Sequence, residues 1–257
     1  LSRFGFTPIP TATDGTIHVP EGYSWKVVAA WGDPLFSDAP AFDHDNYGHP
    51  VEASSRVFGE NTDGMELFNI DGRQIIAINH EYANIGVNIP SDETEIALNS
   101  EDVLKLQGIQ GVTVMEVAEG ADGFAVVVDS PFNRRIDHNT PMTIAGPAAG
   151  HALLQTDADP AGTTVLGTLN NCGAGRTPWG TYLTCEENFN GYFGTSDADM
   201  QLPEGYDRYG IGGESGYGYE KFDARFDLAQ NPNEPHRHGY IVEIDPEDAT
   251  STPIKRT

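Results

Sequence analysis

The sequence predicts an all-β fold built from repeated short units, and three observations point to it. The apolar segments are short, rich in Val, Ile, Thr and aromatic residues, and separated by turn residues. Gly (29) and Pro (17) make up about 18 % of the 257 residues, above average usage but short of low complexity. Helix signals are sparse and no strand–helix alternation appears, so a doubly wound sheet is not expected.

In chain order, the first strands are expected at Thr16–Val19 and Ser24–Trp31. Met65–Ile70 and Gln74–Asn79 follow, with Asp71-Gly72 between them as a hairpin signal. Asn99–Gly108 reads as a short helix, with Ser100 as its cap, Glu101 and Asp102 in its first turn and Gly108 as its stop. Val112–Val117 and Phe124–Val128 flank Ala121-Asp122-Gly123, a longer turn of the same hairpin type. Ala145–Leu154 holds room for another helical turn, and Thr163–Leu169, Gly180–Thr184 and Tyr240–Ile244 complete the strands. One internal echo stands out: Gly111–Glu119 resembles Gly239–Glu247, each an alternating strand leading into an acidic turn. Repeated short β units suggest a propeller. Asp33–Gly64 and Thr195–Arg237 are too long for idle loops, so they are expected to be functional or to pack as insertions.

The chain carries 14 Lys+Arg against 39 Asp+Glu, a formal net charge of −25. Hydrophobic residues reach 38 %, enough for a buried core. Nucleic-acid binding is not expected, because neutralising phosphates requires clustered Lys and Arg. No run approaches the ~18 apolar residues of a membrane helix. The acidity fits a solvated surface suited to a salty or extracellular setting. It also fits inward-facing carboxylates that hold metal, and the two readings are compatible. Two cysteines, Cys172 and Cys185, neither demand nor exclude an oxidising compartment. The start at Leu1 and the end at Thr257 are those expected of a trimmed product or a fragment.

The densest stretch is Asn170–Phe189. Two amides and a thiol close one strand, a glycine-rich turn with Arg176 follows, and a second strand ends in Cys185, Glu186 and Glu187. The intervening strand either returns both sets to one end of a sheet or separates them by its full length. Cys172 and Cys185 form a disulfide or are two buried thiols. Zinc is poorly supported, for lack of the usual Cys and His spacing. Gly173–Gly175 is no P-loop, since Gly-Lys-Ser/Thr is absent. Arg176 is either a bidentate phosphate fork or an ordinary loop arginine. Glu81, in Asn79-His80-Glu81-Tyr82, is either a metal ligand or a satisfied carboxylate at a strand end. Glu60–Gly64 offers oxygens of the kind calcium takes, or forms a plain Asx turn. Asp43-His44-Asp45 and His236-Arg237-His238 fall in loops. Neither a Gly-x-Ser-x-Gly elbow nor a dinucleotide fingerprint is present.

The run Leu166–Phe193, with its Asn-Asn-Cys-Gly-Ala-Gly-Arg-Thr-Pro-Trp-Gly-Thr-Tyr-Leu-Thr-Cys-Glu-Glu-Asn core, resembles the signature of the PhoX family of bacterial alkaline phosphatases. Val19–Tyr23, Asn79–Tyr82, Thr140–His151 and Gly239–Pro246 resemble that family in the expected order. The resemblance covers nearly the whole chain and is most specific from Cys172 to Glu187. It implies a six-bladed β-propeller with its active site at the mouth of the central channel, residues 1–257 being a single partial propeller domain that supplies roughly the first half of the blades. It further implies a monomeric phosphomonoesterase exported by the twin-arginine route to the periplasm or beyond. The implied cofactors are Ca2+ and an oxo-bridged Fe3+ pair, with the oxo group as nucleophile and no phosphorylated side chain. Cys172 is then an iron ligand and Glu187 a carboxylate ligand of the same cluster. Glu186, Asn171 and Glu81 are further members, and Arg176 adds charge on the phosphoryl group. The family's remaining ligands are expected after Thr257, and a half propeller needs that remainder to cover its strand edges.

Overall fold

Two sheets carry the molecule, in a computed structural model that describes residues 5–90 and 96–257. The first sheet contains β1 (Thr62–Ile70), β2 (Arg73–His80), β3 (Gly111–Gly120) and β4 (Gly123–Val126) as an antiparallel meander, and β5 (Arg134–Ile136) pairs with β3 beside β4. The second contains β6 (Pro141–Ala145), β7 (Thr164–Leu166), β8 (Asn171–Arg176), β9 (Tyr182–Glu186), β10 (Ile241–Ile244) and β11 (Ile254–Arg256). Its order is β7-β6-β11-β10-β9-β8, so β8 to β11 form a second antiparallel meander, and β6 joins β11 in parallel. Helices are few: a single turn α1 (Ile85–Asn88), α2 (Ser100–Ile109) and short 3-10 segments. The chain is therefore predominantly β, as the sequence predicts. No helix among the described residues is long and apolar enough to cross a membrane.

Local chemistry explains most elements. Asp71 (φ 50°) and Gly72 (φ 80°) make the two-residue turn between β1 and β2. β3 alternates between two cores. Val112 and Val114 join Phe68, Ile75, Tyr182, Val242 and Ile244 between the sheets, while Met115 and Val117 pack with Leu35, Phe58 and Ile78. A third core surrounds α2, where Val103, Leu106 and Ile109 meet Tyr192, Phe193, Tyr219, Phe226 and Leu228. The long segments after Asp33 and Thr195 thus pack as insertions. The echoed segments fall on β3 and β10, the third strand of each meander.

Several expectations are corrected. Thr16–Val19 and Ser24–Trp31 form no strands and leave Ile17, Trp25 and Val27 exposed, because β-favouring residues make a strand only where a partner ladder exists. The cap of α2 is Asn99, whose side chain accepts from the Asp102 amide at 2.9 Å, one residue before Ser100. Gly108 lies inside the helix, where a Cβ would stand 2.4 Å from Ser54 Cβ, so it serves close packing. The Ala121-Asp122 turn is as tight as the first, with Gly120 opposite Gly123. Gly173–Gly175 is not a turn but the middle of β8, and the chain reverses at Thr177–Gly180.

Candidate metal centre

Because β8 and β9 form a hairpin, its two ends return to one place. Asn171 pairs with Glu186, and a bulge between Asn171 and Ala174 sets Cys172 and Gly173 against Cys185. Both thiols are free. The start of β1 lies against the same end of β8. A Cβ on Gly64 would stand 2.5 Å from the Cys172 carbonyl oxygen, so only glycine permits this approach. Asn79, buried at the end of β2, donates to that carbonyl at 2.7 Å, and the Tyr182 hydroxyl lies 2.8 Å from Asn79 Oδ1 and 2.9 Å from the Gly64 carbonyl.

This suture brings together Asp63, Glu81 and Cys172, whose ligand atoms all lie within 4.8 Å of one another. Glu187 joins them, hydrogen-bonded to the Cys172 thiol and close enough to Glu81 to raise its pKa. Glu81 is raised by burial first, then by the Asp63 and Glu187 charges. Hydrogen bonds to Glu187 and Asp63, followed by burial, push the Cys172 thiol up to about 12. Among the described residues, no Lys, Arg or His pairs with Asp63, Glu81 or Glu187. Three carboxyls and a thiol that lack a counter-cation repel one another unless protons or a metal intervene. Hard oxygens with one thiolate suit a cation that accepts both donor types, so the residues fit a metal site. The three converging groups are partly accessible and Glu187 is exposed, so the centre opens to solvent.

Backbone geometry holds each pair. Asn61 (φ 47°) and Asn170 (φ 50°) are both left-handed, and their carbonyls accept from the amides of Glu81 (2.9 Å) and Glu187 (3.0 Å). Beneath Glu81, His80 is buried. Its Nδ1 must donate to the Glu60 carbonyl (3.0 Å), leaving Nε2 to accept from Thr113 (2.7 Å), whose hydroxyl in turn accepts from Arg135 (2.9 Å). Burial, then Arg135, holds the ring well below the usual histidine range and therefore neutral. The Glu60 carboxylate accepts from the Asn84 amide, the Asn84 side chain and Asn88.

The structure does not place Glu186 with Glu187. Adjacent strand residues face opposite sides, and Glu186 points inward. Its carboxylate accepts from Lys255 Nζ (2.8 Å) and from the amides of Leu169 (3.0 Å), Gly239 (2.8 Å) and Tyr240 (3.0 Å). Burial opposes its ionisation, but Lys255 and His238 outweigh burial and bring Glu186 down to about 2. Asn171 is also turned inward, donating to Thr168 (2.6 Å) and Thr184 (3.0 Å). Arg176 lies at the far end of β8, roughly 13 Å along the strand from Cys172 at ~3.3 Å per residue. There it stacks 5.8 Å from the Phe68 ring and shares a cleft with Trp179, Asp245 and Glu247. His238 of the His236-Arg237-His238 triplet sits beside Glu186, and Asp43 closes a bridge to Gly48. Local pattern does not distinguish Asp63, because a ligand and an Asx turn look alike within Glu60–Gly64. The signal that distinguishes it is the shared Asn-x-x-Gly frame around Asp63 and Cys172.

The model of the family "Alkaline phosphatase PhoX" matches residues 4–257. The chain belongs to the PhoX alkaline phosphatase family. A solved structure, Pseudomonas fluorescens PhoX in complex with vanadate, a transition state analogue, is 47 % identical and superposes with a TM-score of 0.93. The match covers 98 % of this chain and 43 % of that one, so the chain spans less than half the length of this PhoX relative. No curated protein sequence matches it.

Proposed function

We propose that this chain supplies part of the active site of a metal-dependent phosphomonoesterase that works outside the cytoplasm. The observation that carries the reading is the convergence of Asp63, Glu81 and Cys172, with Glu187 beside them, in a chain 47 % identical to a PhoX in complex with vanadate, a transition state analogue. The two meanders are then blades of a propeller, with the metal centre where β1 and β8 meet. Calcium and ferric iron are the ions we assign to it, since carboxylates serve both and a thiolate favours the iron. Cys172 and Glu187, with Asp63 and Glu81, would hold them.

A bound metal would supply Lewis acidity and positive charge at the phosphoryl oxygens. The chain's own residues do the rest. Asp63 and Glu81 bring their ligand oxygens to the Cys172 thiol, with Glu187 beside them. Asn79 and Tyr182 lock β2 and β9 against the Cys172 bulge of β8, so the donor set is preorganised. The net charge of −25 repels a phosphate dianion everywhere except where cations invert the field. A non-catalytic calcium-binding role is not favoured, because a free thiol within the ligand set adds nothing to a calcium site.

The test is hydrolysis of p-nitrophenyl phosphate by the full-length natural polypeptide and its Cys172→Ser variant, together with elemental analysis. Loss of iron together with more than about 100-fold of activity supports the reading. Full activity after exhaustive chelation would sink it.

A further inference from the structure

The two halves of the ligand set come from one repeated unit. Asn61-Thr62-Asp63-Gly64 opens the first meander and Asn170-Asn171-Cys172-Gly173 opens the second. In both, the leading Asn is left-handed, at φ 47° and 50°. In both, its carbonyl accepts from the amide of the glutamate that follows the second strand, at 2.9 Å for Glu81 and 3.0 Å for Glu187. The next residue pairs with the last residue of that strand, Thr62 with His80 and Asn171 with Glu186. A register shift comes directly after it each time, between Thr62 and Met65 and between Asn171 and Ala174. Each third strand is then approached through a left-handed glycine, Gly111 (φ 101°) and Gly239 (φ 88°). Gly111 lies opposite His80, and the Gly239 amide bonds Glu186. Asp63 and Cys172 are therefore equivalent positions, as are Glu81 and Glu187.

We propose that the side chain at position 172 is the specificity determinant of the metal centre: the repeat places a hard carboxylate there in its first copy, and the thiol in its second copy alone shifts the centre from hard cations toward thiophilic ones. This rests on the metal reading above. The argument is subtraction. The two ligand pairs share backbone conformation, hydrogen bonds and a glutamate, and differ in one donor atom, sulfur for oxygen. Thiolate selects softer metals and carboxylate harder ones. Because the Asp63 copy shows that this backbone frame accommodates an aspartate, Cys172→Asp should give an all-carboxylate centre without rebuilding the fold.

The experiment uses the full-length natural polypeptide, stripped of metal and titrated separately with Mn2+ and Cd2+. Uptake is read by elemental analysis, and thiolate–cadmium charge-transfer absorbance reports the sulfur bond. The wild type is expected to prefer Cd2+. Cys172→Asp should bind as much Mn2+ as the wild type, lose the charge-transfer band, and drop its Cd2+-over-Mn2+ preference by more than about 10-fold. An unchanged preference, or a loss of Mn2+ sites, overturns the proposal and leaves the metal reading intact. Wild type that takes up neither ion overturns both. Should Cys172→Asp fail to fold, Asp63→Cys asks the same question: its Cd2+ preference should rise by a similar factor, and no rise overturns the proposal.

Discussion

The meander β1–β4 and the run β8–β11 deliver acidic groups to the same point, yet they are braced by opposite chemistry. In the first, the residue that faces inward beside Glu81 is His80, a neutral ring in a hydrogen-bond chain from Arg135 through Thr113 to the Glu60 carbonyl. In the second, the residue beside Glu187 is Glu186, an ionised carboxylate held by Lys255 and three backbone amides. The outward positions keep their geometry while the inward ones exchange a neutral group for a charged pair. The ligand position is thus set by the backbone, through a left-handed Asn and an amide–carbonyl bond. The inward neighbour can be any group whose polar atoms are all satisfied.

Four measurements sharpen or break this contrast. The largest effect should be on turnover: Glu81→Gln and Glu187→Gln, at equivalent outward positions, should each lower phosphatase activity by more than ~100-fold while the melting temperature of the stripped protein moves little. A variant that loses stability and keeps its activity would mark a structural carboxylate instead.

Next come the inward braces. Lys255→Met leaves the buried Glu186 charge without its lysine partner, and should destabilise by about 3–5 kcal/mol in denaturant titrations. His80→Ala orphans hydrogen bonds but no charge, and should cost about 1–3 kcal/mol. Replacing Glu186 and Lys255 together with apolar residues should not restore full stability, because the amides of Leu169, Gly239 and Tyr240 lose their acceptor. Equal costs for the two single variants would erase the distinction between the braces.

Acid should separate the braces by pH window. The folded His80 pKa lies well below 6.5, so its contribution is whole above that value and is lost as pH falls below it, when the unfolded ring takes up a proton. His138, also buried and also lowered, acts in the same direction. Glu186, at about 2 against an ordinary 4.5, contributes fully above 4.5 and loses that contribution as pH falls toward 2. The Glu186 share is on the order of 3 kcal/mol. Unfolding midpoints of His80→Gln should therefore fall less than the wild type's as pH drops below about 7, with the gap still widening through the upper window until the low folded pKa of His80 is reached. Unchanged behaviour in the upper window would remove His80 from the account.

The smallest effect tests the shared frame. Asn61→Ala and Asn170→Ala remove the polar side chain that eases left-handed backbone and donates to the Tyr82 and Glu81 carbonyls, and should cost about 1 kcal/mol each, while the corresponding glycine variants, free of the backbone strain, should cost less. Unequal costs would weaken the equivalence of the two meanders.

Much of this arrangement is readable from composition and local pattern. The predominance of strands, the Asp71-Gly72 hairpin, the helix near Ser100 and the alternation of Val112–Val117 all follow from short-range preferences. The chemistry of Cys172, Glu81 and Glu187 is legible as donor atoms beside turns, and the run from Cys172 to Glu187 carries the family likeness. What local pattern could not supply is which of these donors meet. Asp63, Glu81 and Cys172 are far apart in the chain and are joined by strand register and by the close passage of Gly64 over the Cys172 carbonyl, both non-local. Glu186 and Glu187 look alike in sequence, and the phase of β9 against β10 decides which one faces Lys255 and which one faces solvent. Strand phase follows from pairing and bulges across the sheet, so the division between buried brace and exposed ligand exists only once the two meanders have folded against each other.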